Sequence, residues 1–241
     1  MEQVKLIQHN IIKWTMTRRN ELMNIYRQYD PDIIMLNATG LKDTEKIKLY
    51  TYNVYQRNIT NEEHAGIAIG IKKNIKHRII DDNNEDILGV EIETSRGPLA
   101  LFTAYIPPRH ADYNLLGIMR YLRKPIPTYL VADLNARHIQ FGHGSTNARG
   151  RLLLNYIRRD IITLLGPEFK TYIGTTGTGT PDMVIGNRWA NLNVSLTQGP
   201  ITTSDHLPIY MKIATKPIII QGKTRLEIKK SELGQVSGKY K

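Results

Sequence analysis

Tyr129-Leu130-Val131-Ala132-Asp133-Leu134-Asn135-Ala136-Arg137-His138 joins an apolar run to an acid and an amide two residues apart. Residues 129–132 have the length and make-up of a buried strand, and Asp-x-Asn directly after them is a good turn former. An acid at the downstream end of a buried strand sits on the rim of a sheet, where remote segments can meet around one cleft. Along the chain other polar residues lie at the downstream end of a predicted strand or just before one. Asn10 follows the strand-like run 4–7, Tyr105 closes the run 99–105, Asp182 directly precedes 183–185, and Ser204-Asp205-His206 precedes 207–213.

Outward from these points, Leu22, Ile25, Tyr26 and Tyr29 fall at i, i+3, i+4 and i+7. That spacing predicts a helix entered after Thr17 and stopped by Asp30-Pro31, since proline removes a donor and restricts the residue before it. Strands are predicted at 33–36, 52–55, 66–71, 88–93 and 99–105, with Gly97-Pro98 as the hairpin turn between the last two. Helical spacing appears at 113–122 and 147–158, and strand-like runs at 162–165, 183–185, 191–196 and 207–213. Many strands with few long helices predict an α/β fold of two packed, mostly antiparallel sheets flanked by helices. Residues 1–213 read as one domain and residues 214–241 as a basic linker or tail.

The chain of 241 residues is long enough to bury a core without staples. Its 41% hydrophobic and 23% charged residues exclude wholesale disorder. No apolar run approaches the roughly 18 to 20 residues that cross a bilayer. The opening residues MEQVKLIQHN lack the basic-then-apolar order of a secretory signal. With no cysteine, disulfides and cysteine-based zinc sites are excluded. Lys and Arg number 33 against 22 Asp and Glu, a formal charge of +11, which favours polyanionic partners. Residues 212–241 hold eight of those basic residues and two Glu, so about half of the excess lies in the tail.

The run 129–138 resembles the Gly-Asp-Phe-Asn segment of the exonuclease–endonuclease–phosphatase superfamily, and Ser204-Asp205-His206-Leu207-Pro208 resembles its terminal Ser-Asp-His motif. Within it, the chain is similar to the apurinic/apyrimidinic-endonuclease-like domain of non-LTR (LINE-type) retrotransposons. The stretches that narrow the match are Gln8-His9-Asn10, Tyr105-Ile106-Pro107-Pro108, Asn147-Ala148-Arg149-Gly150, Gly166-Pro167 with Thr171, and Thr180-Pro181-Asp182. The resemblance covers about residues 4–213. The resemblance implies a four-layer αββα sandwich and a metal-dependent endonuclease that nicks one strand of double-stranded DNA. It further implies a 3′-hydroxyl product that primes reverse transcription, a reverse-transcriptase domain in the same polyprotein, and action in the nucleus after synthesis in the cytoplasm.

On that resemblance the catalytic residues are Asn10, Tyr105, Asp133, Asn135, Asp182 and His206. Asp133 activates or positions the attacking water and Asn135 holds that water or a phosphate oxygen. His206 binds a non-bridging phosphate oxygen, with Asp182 fixing its ring. Tyr105 donates to developing charge. Asp205 and the Asn10 amide supply hard oxygen to Mg²⁺, for which Mn²⁺ can substitute. His138, Thr180 and Ser204 are candidate DNA contacts.

One position departs from the pattern. The second strand in these relatives ends in a Glu that is the principal metal ligand, whereas here it reads Leu36-Asn37-Ala38-Thr39-Gly40. A methyl group cannot bind Mg²⁺, so either Asp205, Asn10, Asn37 and waters suffice, or Asp43 reaches in, or the domain cuts poorly. A DNA-binding module without nuclease activity is therefore the alternative function. A soluble phosphatase or phosphodiesterase of the superfamily is a third, and it leaves the basic tail unexplained. Residues 175–180, alternating Thr and Gly, lack the Lys-Ser/Thr ending of a phosphate-binding P-loop and read as a surface or DNA-facing hairpin.

Overall fold

The computed structural model describes residues 2–59, 65–80, 84–110, 115–175 and 177–220. In chain order the first elements are β1 (Val4–Asn10), α1 (Met16–Tyr29), β2 (Ile33–Asn37), β3 (Tyr52–Arg57), β4 (Ile67–Lys72), β5 (His77–Ile80), β6 (Ile87–Thr94) and β7 (Gly97–Ala104). There follow α2 (Leu116–Met119), β8 (Thr128–Asp133), α3 (Ala148–Arg158), β9 (Ile162–Gly166), β10 (Tyr172–Gly174), β11 (Gly177–Gly179), β12 (Asp182–Asn187), β13 (Val194–Gln198) and β14 (Ile209–Ile213). One sheet has the order β13-β14-β1-β2-β4-β3 and the other β5-β6-β7-β8-β12-β9; β10 and β11 form a separate hairpin.

Each sheet is antiparallel except at its centre, where β1 and β2, and β7 and β8, run parallel. A parallel pair needs a crossover, which α1 supplies in the first sheet and the helical segment before β8 in the second. The parallel pairs carry the downstream ends of β1, β2, β7 and β8 to one rim, and that rim holds the polar residues.

Alternate side chains of these strands enter different layers. Leu6, Ile33, Met35, Ile69, Leu101, Val131 and Met211 fill the space between the sheets. Their neighbours Ile7, Ile34 and Leu36 pack outward against Leu22, Ile25 and Tyr26 of α1. On the far side Phe102, Leu130 and Ile185 pack against Ile118 and Met119 of α2 and Leu153 and Tyr156 of α3. The result is the four-layer αββα sandwich, with strands apolar on both faces because both faces are covered.

Several local expectations are corrected. Helix α1 is capped by Thr15, whose hydroxyl accepts from Arg18 N at 3.3 Å, two residues before the expected Thr17. Asp30 ends it in a left-handed conformation, φ 43°, which a short polar side chain tolerates, its N–H donating to Tyr26 O at 2.9 Å, and Pro31 bars continuation. The β6–β7 turn is Ser95-Arg96, because Thr94 pairs with Gly97 and leaves Gly97 and Pro98 in the strand. The helix expected over 113–122 is the short α2 followed by a 3₁₀ turn at Arg120–Arg123, and residues 113 and 114 lie outside the described residues. Strand β5 was not expected; it is short, half exposed and paired with β6 alone.

Residues 214–220, assigned from the sequence to a linker, pair back onto the sandwich. Pro217 bridges Thr94 and Ile219 bridges Ile75, with Ile218 N donating to Glu93 O at 2.8 Å. The rest of the expected tail, 221–241, lies outside the described residues.

Candidate active site

Register alone brings the strand-end polar residues together. Asn10 is opposite Asn37 across β1 and β2, Tyr105 bridges Asp133, and Asp133 is opposite Asp182 across β8 and β12. The loop before β14 adds Asp205 and His206, held by Ile173 N donating to Asp205 O at 2.7 Å and Leu207 N to Thr171 O at 2.7 Å. These residues floor a cleft of about 430 Å³ lined by Asn10, Tyr105, Asp133, Asn135, Asp205 and His206, with the β10–β11 hairpin along one wall.

Two hydrogen-bonded pairs build the floor, with Asp182 fully buried beneath it. Asn10 Nδ2 donates to Asp133 Oδ2 at 2.8 Å, while Asp133 Oδ1 accepts from Asn135 N at 3.1 Å and Asn135 Nδ2 at 2.9 Å. Asp182 Oδ2 meets His206 Nδ1 at 2.7 Å, and Asp182 Oδ1 accepts from Gln8 Nε2 at 2.9 Å. Gln8 also donates to Asn37 Oδ1 at 2.8 Å, and Asn37 Nδ2 to Thr103 Oγ1 at 3.0 Å. The Tyr172 ring stands edge-on to the His206 imidazole, 5.3 Å between centroids.

Two adjacent buried carboxylates cannot ionise equally well. Burial and then the neighbouring Asp182 charge push the Asp133 carboxyl up to about 7, against the lowering effect of His206, Asn10 and Asn135. Asp182 goes the other way: burial raises it, but the charge and hydrogen bond of His206, with further bonds from Thr171 and Gln8, hold it below the usual carboxylate range. Burial alone lowers the His206 imidazole, yet the Asp182 charge and hydrogen bond, with Asp133 and Asp205 nearby, push it up to about 9. The pair Asp182–His206 is thus a carboxylate and an imidazolium, and Asp133 is a carboxyl poised near neutrality. A base near pH 7 and a fixed cation in one cleft suit attack on a phosphodiester.

The other sequence candidates fall elsewhere. Ser204 is not among the cleft-lining residues: its buried hydroxyl donates to Asn10 O at 2.7 Å and accepts from His206 N at 3.2 Å, tying β1 to the loop before β14. His138 caps the 3₁₀ turn at Ile139–Phe141, its Nδ1 accepting from Gln140 N at 3.1 Å, and its ring packs beside Phe141. Thr180 is buried after the β10–β11 hairpin, where its backbone bonds to His143. Asp43 is exposed and is not among the cleft residues. Ala38 lines the cleft, is 1% exposed and has a left-handed φ of 54°.

Two donor sets near the floor could hold a cation. Asp133, Asp182 and His206 each bring a ligand atom within 4.8 Å of the others. His206 Nδ1, however, is committed to Asp182 as a protonated nitrogen, which has no lone pair to give. Asp205 fits better: its Oδ1 is buried without a hydrogen-bond partner, and it lines the same cleft as Asn10. The Asn10 Oδ1 accepts from Ile12 N at 3.1 Å and keeps a second lone pair. Carboxylate and amide oxygens are hard donors suited to Mg²⁺ or Mn²⁺.

Sequence reasoning missed the supports. Asn147 Oδ1 accepts from Gly150 N at 2.8 Å and Arg137 N at 3.0 Å, and its Nδ2 donates to Asn135 O at 2.7 Å. Gly150 is needed because a Cβ there would lie 1.9 Å from Arg137 O. Arg149 is buried against the 106–108 backbone. The signal was present in the Asn147–Gly150 motif, but nothing in the sequence said what it touches.

A family profile described as endonuclease-reverse transcriptase matches residues 99–210. The chain is 27% identical over 233 residues, 90% of its length, to a probable RNA-directed DNA polymerase from transposon X-element of Drosophila melanogaster. It is 25% identical over 223 residues, 88% of its length, to the RNA-directed DNA polymerase from mobile element jockey of the same species. It spans 26% and 24% of those two proteins, about a quarter of each. Among solved structures, the endonuclease domain of TRAS1, a telomere-specific non-LTR retrotransposon, superposes with a TM-score of 0.69 at 16% identity, covering 88% of this chain and 98% of that one. The AP endonuclease LMAP from Leishmania major gives 0.70 at 14%, covering 88% of each. The fold is that of the apurinic/apyrimidinic-endonuclease-like nucleases. Within that class, motifs, profile and relatives agree that the chain resembles the endonuclease domains of non-LTR retrotransposons.

Proposed function

We propose that the chain is a divalent-metal-dependent endonuclease that nicks one strand of double-stranded DNA by phosphodiester hydrolysis. The nick leaves a 3′-hydroxyl that primes reverse transcription by a reverse-transcriptase domain of the same polyprotein, in the nucleus. The observation that carries this reading is the pairing of a near-neutral carboxyl, Asp133, with the Asp182–His206 ion pair on one cleft floor.

Asp133, ionised, accepts the proton of the attacking water. The Asn135 Nδ2 is taken by Asp133 and by Ile106 O at 3.1 Å, which leaves its Oδ1 to hold that water. His206 Nε2 donates to a non-bridging phosphate oxygen, while Asp182 keeps the ring charged and oriented. Tyr105 donates to the charge that develops as the bond breaks. Asp205 and Asn10 would hold Mg²⁺, or Mn²⁺ in its place, which supplies positive charge to the leaving oxygen. The test is a supercoiled-plasmid assay: relaxed circles form with Mg²⁺ or Mn²⁺ and not with EDTA, and a polymerase extends the nick without end repair. No relaxed circle with either ion overturns the reading.

A DNA-binding module without nuclease activity is the second reading, and Ala38 favours it. The position where the relatives carry a ligand Glu is here a methyl packed in the core between the sheets. Plasmid retention without nicking would select this reading.

A further inference from the structure

The Tyr105–Pro108 turn is short of backbone donors of its own. Pro107 and Pro108 have no backbone N–H, so past Ile106 N, which donates to Asp133 O, the turn adds no donor to a ladder; Pro107 O is met by His110 N at 3.2 Å, while Ile106 O and Pro108 O take side-chain donors. Arg149, 2% exposed, supplies them from the first turn of α3. Its Nη1 donates to Ile106 O at 3.3 Å and Pro107 O at 3.2 Å, and its Nη2 to Pro108 O at 3.2 Å. A guanidinium is expensive to bury, and here its hydrogen bonds go to neutral carbonyls. The planar fork matches three successive carbonyls as an ammonium cannot.

The same Ile106 oxygen receives the Asn135 side chain, Nδ2 to O at 3.1 Å. Asn135 is a non-glycine residue at φ 47°, its own carbonyl is held by Asn147, and Ile106 N donates to Asp133 O at 2.9 Å. We propose that Arg149 is a positioning residue of the cleft: by pinning the Ile106–Pro108 carbonyls it fixes the oxygen toward which Asn135 Nδ2 points, and so the direction in which Asn135 presents its Oδ1. This rests on the reading of Asn135 as a substrate-facing group. Asn147 holds the Asn135 backbone and Arg149 holds the target of its side chain, which accounts for two residues of the Asn147–Gly150 motif by one task.

Arg149→Lys and Arg149→Met are the variants, the first keeping charge and most of the volume. Nicking falls about 10²-fold in both, as expected for an aim lost by about 1 Å. Metal-free affinity for a duplex stays within about threefold, because no phosphate contact is removed. In an Asn135→Ala background, Arg149→Met adds no more than about threefold, since the two act as one unit; independent multiplication of the two losses overturns the proposal. A readout apart from activity is the side-chain amide resonance pair of Asn135, identified by its disappearance in Asn135→Asp. It shifts in Arg149→Lys while that of Asn187 does not. An unmoved Asn135 pair in folded Arg149→Lys overturns the proposal, as does failure of both arginine variants to fold, which would make Arg149 a folding requirement. A shifted pair in a chain that never nicks leaves the positioning role standing and removes the nuclease reading instead.

Discussion

Asn10, the last residue of β1, donates its side-chain amide to Asp133, the last residue of β8, at 2.8 Å, so the two sheets share a hydrogen bond at the cleft floor. Asn10→Ala removes the donor to Asp133 Oδ2 and the acceptor of Ile12 N together. The domain is expected to lose about 1–3 kcal/mol, read by denaturant melt, because a buried acceptor is left unmet. Nicking is expected to fall at least about tenfold, since Asp133 loses a contact that favours its charged form. Unchanged stability would mean that the bond is not formed in solution.

Asp133→Ala and His206→Ala are each expected to lower nicking at least about 10²-fold, because each removes a group from the transition state. Their stabilities should differ. His206→Ala leaves Asp182 as an unpaired buried carboxylate, a loss of about 3–5 kcal/mol. Asp133→Ala removes a carboxyl that burial already disfavours in its charged form, so its loss is smaller. Parental nicking by either variant would sink the assignment, and equal melting would sink the account of the ion pair.

The pH profile follows from the same pair. Asp133, pushed up to about 7, must be ionised to act as a base, so the rate climbs through that pH. His206, pushed up to about 9, must be protonated to grip phosphate, so the rate falls beyond it. For stability, an imidazole raised above 6.5 contributes fully below pH 6.5 and its contribution disappears as pH rises through about 9. Melting in EDTA should therefore weaken over that window, by about 3 kcal/mol in all. A rate still climbing at about pH 10 would exclude the imidazolium role.

Ala38 permits a gain-of-function experiment. Ala38→Glu returns an anionic oxygen to a cleft-lining position, so the Mg²⁺ concentration for half-maximal nicking should drop, and Mn²⁺ should help the parent more than the variant. The melting temperature should drop as well, since the site is packed in the core. A lower melting temperature with an unchanged Mg²⁺ requirement would show that the position no longer serves metal binding.

How much was legible in the sequence depended on what kind of contact a residue makes. Asp133, Asn135, Asp182 and His206 could be placed on one rim because strand ends are visible as apolar runs followed by polar residues. Ser204 and His138 carried the same polar signature, yet their atoms close hydrogen bonds to Asn10 and Gln140. Nothing local distinguishes a hydroxyl turned inward from one turned to solvent. Gln8 and Arg149 stand in motifs whose contacts stay hidden for the opposite reason: their partners lie 174 and 41 to 43 residues away, a separation that no periodicity reports. The Thr15 cap was misplaced by two residues because Thr15 and Thr17 both offer a hydroxyl ahead of the same apolar stripe.

Duplex affinity should fall steeply with added salt, since Lys and Arg contacts to phosphate release counterions. Ending the chain after Ile220 is the proper truncation, because residues 214–220 are tied into the sandwich. It removes six Lys or Arg and two Glu. Binding measured by anisotropy should weaken and persist. Complete loss would assign the grip to the tail rather than to the sandwich.

The place of β14, between β13 and β1, has a consequence for timing. β1 is made first and β14 last among the strands, and His206 arrives with the segment leading into β14. Until residues as far as about Ile213 have left the ribosome, one flank of β1 has no partner and Asp182 has no imidazolium to face. A chain still short of that point lacks the assembled cleft, so any reaction there waits until translation has passed the whole sandwich.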